Sequence, residues 1–270
     1  MLSNYVRRFQ LPLFFLLSLI ISWAVWIPEA AATLSNREAA VAGGGALDVL
    51  AVWGPGLSAI LLSLLMAGKV GPRALFRPIR RWRVGIQWYL LVLLYPAAIW
   101  LVARAIDAVF GQSYELTFMP ILTYFGPEQA IMVPVALVFA FPNTLGEELG
   151  WRGFALPKLQ AKYNALVSSI ILGIFWGVWH IPLWIAYGQT GLPLLIDVVS
   201  MVTLAILYTW VYNSTGDSLL LVWLFHSAMT ITQYFLAPIP TLTDDILGWV
   251  MAVLVVIVAG APHLSRKQGV

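Results

Sequence analysis

Three apolar stretches of this chain are each broken by ionisable side chains. The first carries Asn143, Glu147, Glu148 and Arg152, the second Trp176 and His180, and the third His226 and Thr230. One carboxylate and two imidazoles are the parts needed to take a proton from water. The second of these imidazoles, through an N–H, and a hydroxyl are the parts needed to donate hydrogen bonds to a developing oxyanion. Together they describe hydrolysis of a peptide bond. Helical spacing sorts the neighbours, because residues four apart share a face. Glu148 and Arg152 are so spaced and can pair, which leaves Glu147, about 100° round the helix, free to face a cavity. Asn143 shares the face of Glu147, Trp176 that of His180, and Thr230 that of His226.

The elements that hold these residues must be membrane helices. Of the 270 residues, 61% are hydrophobic and only 10% charged, against about 25% charged in ordinary soluble domains. Mean hydropathy is +0.87, which excludes a soluble or disordered chain and leaves lipid as the solvent. The absence of cysteine excludes disulfides, a thiolate nucleophile and a cysteine metal site. Runs of about 20 apolar residues predict eight spans, near 11–28, 47–67, 86–110, 129–156, 164–187, 193–212, 218–236 and 245–263. The fold class is therefore all-α, a polytopic helical membrane protein. Short polar or Gly-rich turns join the spans, with no repeat and no soluble domain, so residues 1–270 read as a single integral-membrane domain. The first apolar stretch, Leu11 to Ile27, is longer than a signal-peptide core and carries Trp23 and Trp26, so it reads as a retained span.

Basic residues orient the spans. Arg7 and Arg8, then Lys69, Arg73, Arg77, Arg80, Arg81 and Arg83, then Arg152, Lys158 and Lys162, and finally Arg266 and Lys267 fall on one side: 13 of the 15. Arg37 and Arg104 fall on the other, with Glu29, Glu38, Asp48, Asp107, Glu115, Glu128, Asp244 and Asp245. Both termini are then cytoplasmic, and the basic loop reads as a topology signal rather than a lipid- or nucleic-acid-recognition surface. Glu147 and His226 lie about 8–10 residues from the cytoplasmic ends of their helices, roughly 12–15 Å deep, with His180 somewhat deeper. Ionisable residues at such depth are functional candidates by default.

At these residues the chain resembles the CPBP family of intramembrane proteases, also called Abi or CAAX-protease-like, which includes the type II CAAX prenyl endopeptidase. The EExxxR motif stands as Glu147-Glu148-Leu149-Gly150-Trp151-Arg152 and the aromatic-xxx-His motif as Trp176-Gly177-Val178-Trp179-His180. The last motif stands as His226-Ser227-Ala228-Met229-Thr230, with Thr230 where Asn is usual. The resemblance covers about residues 140–230. It implies an intramembrane endopeptidase in which Glu147 and His180 activate water while His226 and Thr230 stabilise the oxyanion. Glu148 and Arg152 would then hold the motif helix in place. Trp176, where Phe is commoner, keeps an aromatic wall, and Asn143 is a further supporting residue.

No cofactor is expected under a metal-free glutamate mechanism, although Glu147, His180 and His226 make up a two-His-one-carboxylate zinc set as the alternative. Expected partners are the lipid bilayer and a peptide or protein substrate at the membrane, either prenylated or bacteriocin-like, with no nucleic acid. The expected location is the prokaryotic cytoplasmic membrane. Two other readings use the same residues: a non-catalytic membrane binding or bacteriocin-immunity protein, kept open by Thr230, and a proton-coupled transporter with Glu and His as a relay.

Overall fold

The computed structural model describes residues 2–35, 46–112, 132–235 and 241–265, which are helical and contain no strand. Twelve α-helices follow one another among them: α1 (Leu2–Arg8), α2 (Gln10–Leu34), α3 (Ala46–Val52), α4 (Gly54–Ala67), α5 (Val70–Phe76), α6 (Ile86–Val109), α7 (Met132–Glu148), α8 (Leu156–Gln160), α9 (Ala165–Ala186), α10 (Gly191–Ser214), α11 (Leu219–Phe235) and α12 (Leu242–Ala259). A 3-10 turn, Arg77–Arg80, follows α5, and a π-helical segment, Leu149–Ala155, joins α7 to α8. Arg37, Glu38, Glu115, Glu128, Arg266 and Lys267 lie outside the described residues, as does the start of the predicted fourth span.

Among the described residues five helices, α2, α6, α9, α10 and α12, are long and apolar enough to cross a membrane. At 1.5 Å per residue even the 18-residue α12 approaches the thickness of the hydrocarbon core. Its outer face is bare apolar surface, with Ile257 71% and Val258 85% exposed. Such a face is stable in lipid and a liability in water. The protein is a multi-pass membrane protein.

Not every predicted span is one rod. The stretch 47–67 is two helices, α3 and α4, parted at Trp53 by Gly54, Pro55 and Gly56. Pro55 has no N–H to offer the carbonyl of Ala51, one turn earlier. The Ser22 hydroxyl of α2 donates to that carbonyl instead, at 2.6 Å, and itself accepts the Trp179 indole N–H at 2.7 Å. One serine thus ties α2, α3 and α9 together around a broken helix.

The contact that positions the motif helix is made by small residues. A Cβ on Gly56 would lie 2.6 Å from the carbonyl oxygen of Gly146, and one on Gly150 would run into Pro55. Gly146 and Gly150 are four apart and present bare backbone to α4, the close-approach device common between membrane helices. On its other side α7 is fastened to α11. Trp223 Nε1 donates to the Phe141 carbonyl at 2.7 Å, and Thr144 shares a 2.8 Å hydrogen bond with Ser227. α9 packs on α2 and α10 and brings the second motif against the first.

Candidate active site

The EExxxR motif sits where the helix changes winding. Glu147 and Glu148 close α7, and the chain widens at once into the π-helical turn that carries Arg152. Such turns re-aim side chains and are frequent at functional sites. Glu148 and Arg152 are both fully buried and joined at 2.9 Å. The Glu148 oxygen that accepts from Arg152, Oε1, also lies 2.9 Å from Nδ1 of His226. The Arg152 guanidinium is sandwiched between two rings, 4.3 Å from the Trp176 centroid and 4.7 Å from that of Tyr208. Cation–π attraction, worth about 2 kcal/mol or more when desolvated, offsets part of its burial.

Glu147 has a different partner. Its Oε2 accepts the indole N–H of Trp176 at 2.7 Å. Glu147 takes no part in the Glu148–Arg152 pair; it is buried and held in place by α9. The adjacent glutamates therefore point to two helices, Glu147 to α9 and Glu148 to α11. Trp176 is the hub, with its ring 5.4 Å from that of His226 and 6.0 Å from that of His180.

The hydrogen bonds assign ring protons. Nδ1 of His180 lies 2.9 Å from the Trp176 carbonyl, which can only accept, so Nδ1 carries the hydrogen. A neutral His180 ring then presents a bare Nε2, able to take a proton. The ring is fixed by parallel stacking on Trp184 at 4.8 Å and by edge contact with Trp179 at 4.6 Å. For His226, Nδ1–H is given to Glu148. To donate from Nε2 as well, the ring must carry both protons, with Glu148 as countercharge.

Two predicted residues sit differently from their expected use. The Thr230 hydroxyl donates to the His226 carbonyl one turn back, at 3.1 Å, so its proton is committed to backbone. Serving an oxyanion requires rotation about χ1, and helical Thr has two accessible wells for that. Asn143 makes no hydrogen bond through its buried Oδ1. Sequence reasoning also missed two members of the site. Trp184 was legible, being i+4 from His180. Tyr208, fully buried with an unpartnered hydroxyl, stacks on Arg152 from α10 and gives no signal in sequence.

Among the described residues no group of three or more His, Asp or Glu is spaced to hold a metal ion. One oxygen of Glu147 and the Nδ1 of each histidine are engaged in hydrogen bonds to protein groups, so in the alternative zinc set the other oxygen of Glu147 and the Nε2 atoms of His180 and His226 would be the ligands.

Comparison with known proteins matches this region to a family. The model of the Rce1-like type II CAAX prenyl endopeptidases matches residues 129–232, a range that contains all three motifs. The chain is also similar to CAAX prenyl protease 2 of Methanococcus maripaludis, with 25% identity over 255 residues, covering 88% of each chain.

Proposed function

We propose, for a chain whose residues 129–232 match the model of the Rce1-like type II CAAX prenyl endopeptidases, that it cleaves a peptide bond in or beside the membrane with Glu147 as the water-activating base. The observation that carries this is the division of labour between adjacent glutamates, Glu147 held by Trp176 and Glu148 bound to Arg152 and His226.

Glu147 takes the proton as water attacks the scissile carbonyl, the bare Nε2 of His180 accepting a hydrogen bond from that water and the indole N–H of Trp176 aiming the carboxylate. Negative charge then develops on the carbonyl oxygen. Nε2–H of His226 donates to it, its charge balanced by Glu148, and Thr230 adds a second donor after turning from the backbone. The proton held by Glu147 passes to the leaving amine as the C–N bond breaks. No step calls for a metal. The relative's name points to substrates ending in a prenylated CAAX sequence, and we extend that class to this chain. The remaining elements of the proposal are one domain over residues 1–270, eight spans, cytoplasmic termini and residence in a prokaryotic cytoplasmic membrane.

The test is cleavage of quenched, membrane-proximal peptides, prenylated and unprenylated, by the purified protein in detergent, with and without chelator. Wild-type protein should cleave with chelator present, while Glu147→Gln and His180→Ala should be inactive yet folded. Cleavage by either variant would show that the water-activating pair is misassigned. An inactive but folded wild type would favour the non-catalytic binding reading, to which the backbone-bound Thr230 hydroxyl gives its support.

A further inference from the structure

Segment 69–83 holds six basic residues and no acidic one. It forms α5, the 3-10 turn and the strap that enters α6, a candidate membrane span beginning at Ile86. Arg83 is three residues from that span, which places it at headgroup depth. The strap lines an open recess of about 480 Å³ with Arg80, Arg81, Trp82 and Arg83 on one side and Thr215 and Gly216 on the other. Trp82 is 58% exposed and carries the Arg83 guanidinium over its ring at 5.2 Å. An exposed tryptophan among arginines next to a span is an interfacial anchor.

The three arginines are not equivalent. Arg81 is spent on protein: it donates to the Gly216 carbonyl at 2.5 Å and pairs with Asp217 at 3.1 Å. The Ser218 hydroxyl in turn donates to the Arg81 carbonyl at 2.6 Å, which fixes the strap to the start of α11. Arg80 and Arg83 are exposed and have no carboxylate partner among the described residues. Topology alone requires positive charge on this side, but not a recess with two unpaired guanidinium groups held by an anchored neighbour. Guanidinium forks match a phosphate bidentately.

We propose that this recess binds the phosphate of an anionic phospholipid headgroup, with Arg80 and Arg83 as its ligands and Trp82 seating the glycerol backbone. The site is remote in sequence from Glu147 and His180, and it does not depend on the proposed peptidase activity.

The test measures lipid retention by native mass spectrometry and lipid-dependent thermal stabilisation of the purified full-length protein in neutral detergent. The probes are phosphatidylglycerol, phosphatidylcholine and sodium phosphate. Wild-type protein should prefer phosphatidylglycerol. Arg80→Gln with Arg83→Gln should weaken its binding about thirtyfold, since each direct guanidinium–phosphate contact in the recess is worth roughly a factor of five. Arg73→Gln with Arg77→Gln removes the same charge outside the recess and should stay within about threefold of wild type. Asp217→Asn keeps a residue type tolerant of the positive φ of 61° at this position, removes the carboxylate that offsets the charge of Arg81 while leaving its Gly216 hydrogen bond, and should tighten binding about fivefold. That gain cannot come from misfolding. Equal losses in the two double variants would overturn the proposal in favour of a diffuse basic surface. Stabilisation by sodium phosphate alone would overturn the lipid assignment in favour of a free-phosphate site.

Discussion

Replacing one or the other of two adjacent glutamates should separate stability from catalysis. Glu148 is fully buried and is the ionic partner of the equally buried Arg152 at 2.9 Å. Glu148→Gln keeps an acceptor oxygen but removes the charge, which leaves a guanidinium uncompensated in the protein interior. Breaking a buried pair in this way costs about 3–5 kcal/mol. For a chain of this size that corresponds to a fall in Tm of roughly 6–20 °C. Glu147→Gln also keeps an oxygen to accept the Trp176 N–H and strands no charged partner, so its Tm should stay within about 3 °C of wild type. Its cleavage rate should fall by about 10²–10⁴, the loss expected for removing a general base. Thermal unfolding followed by tryptophan emission, beside cleavage of one quenched peptide, reads both quantities. The double variant Glu148→Leu/Arg152→Met should recover most of the lost stability, because apolar replacement of a whole buried pair is often neutral. It should stay inactive, since Nδ1 of His226 would lack its acceptor. The reasoning fails if Glu148→Gln melts with wild type, or if the double variant is no more stable than the single one.

Other perturbations probe separate parts of the structure. Thr230→Val should lower kcat about tenfold to a hundredfold with KM little changed, and Thr230→Asn should keep or raise kcat; a silent valine would exclude the donor role. Gly56→Ala should reduce stability by about 1–3 kcal/mol in a denaturation assay, because the new methyl group meets the Gly146 carbonyl at 2.6 Å rather than a movable side chain. Lys158, in the short α8 beyond the membrane, is pushed down to about 8 by burial. Between that value and the ordinary lysine value the unfolded chain holds a proton that the folded chain has lost, so this group's contribution to stability rises with pH across the window. Lys158→Met removes that penalty together with the hydrogen bond from Nζ to the Phe154 carbonyl, so any gain at pH 7 should fade in melts taken toward pH 10. A reporter fused after Val270 should register in the cytoplasm, and a periplasmic signal would refute the orientation drawn from the 13 basic residues.

What could be read without a structure was local or compositional. Apolar runs were enough to identify a helical membrane protein, because lipid leaves the backbone few other ways to satisfy its polar groups. Spacings of four foretold the Glu148–Arg152 pair, and the motif order suggested Glu147, His180 and His226 as one candidate site. The Glu148–Arg152 pair lies within about one turn, where helix geometry alone sets the neighbours. Other features depend on residues far apart in the chain. The Trp176 N–H reaches Glu147 across 29 positions, and Tyr208 closes over Arg152 from another helix. The π-helical turn after Glu148 and the break at Trp53 also belong to this class. Pro55 announces that a hydrogen bond is lost, but only the packed fold brings Ser22 to the stranded carbonyl of Ala51. A side chain's type decides what bonds it can make. Which partner arrives is decided by how closely the helices approach, and here glycines at 56, 146 and 150 set that approach through contacts between distant segments.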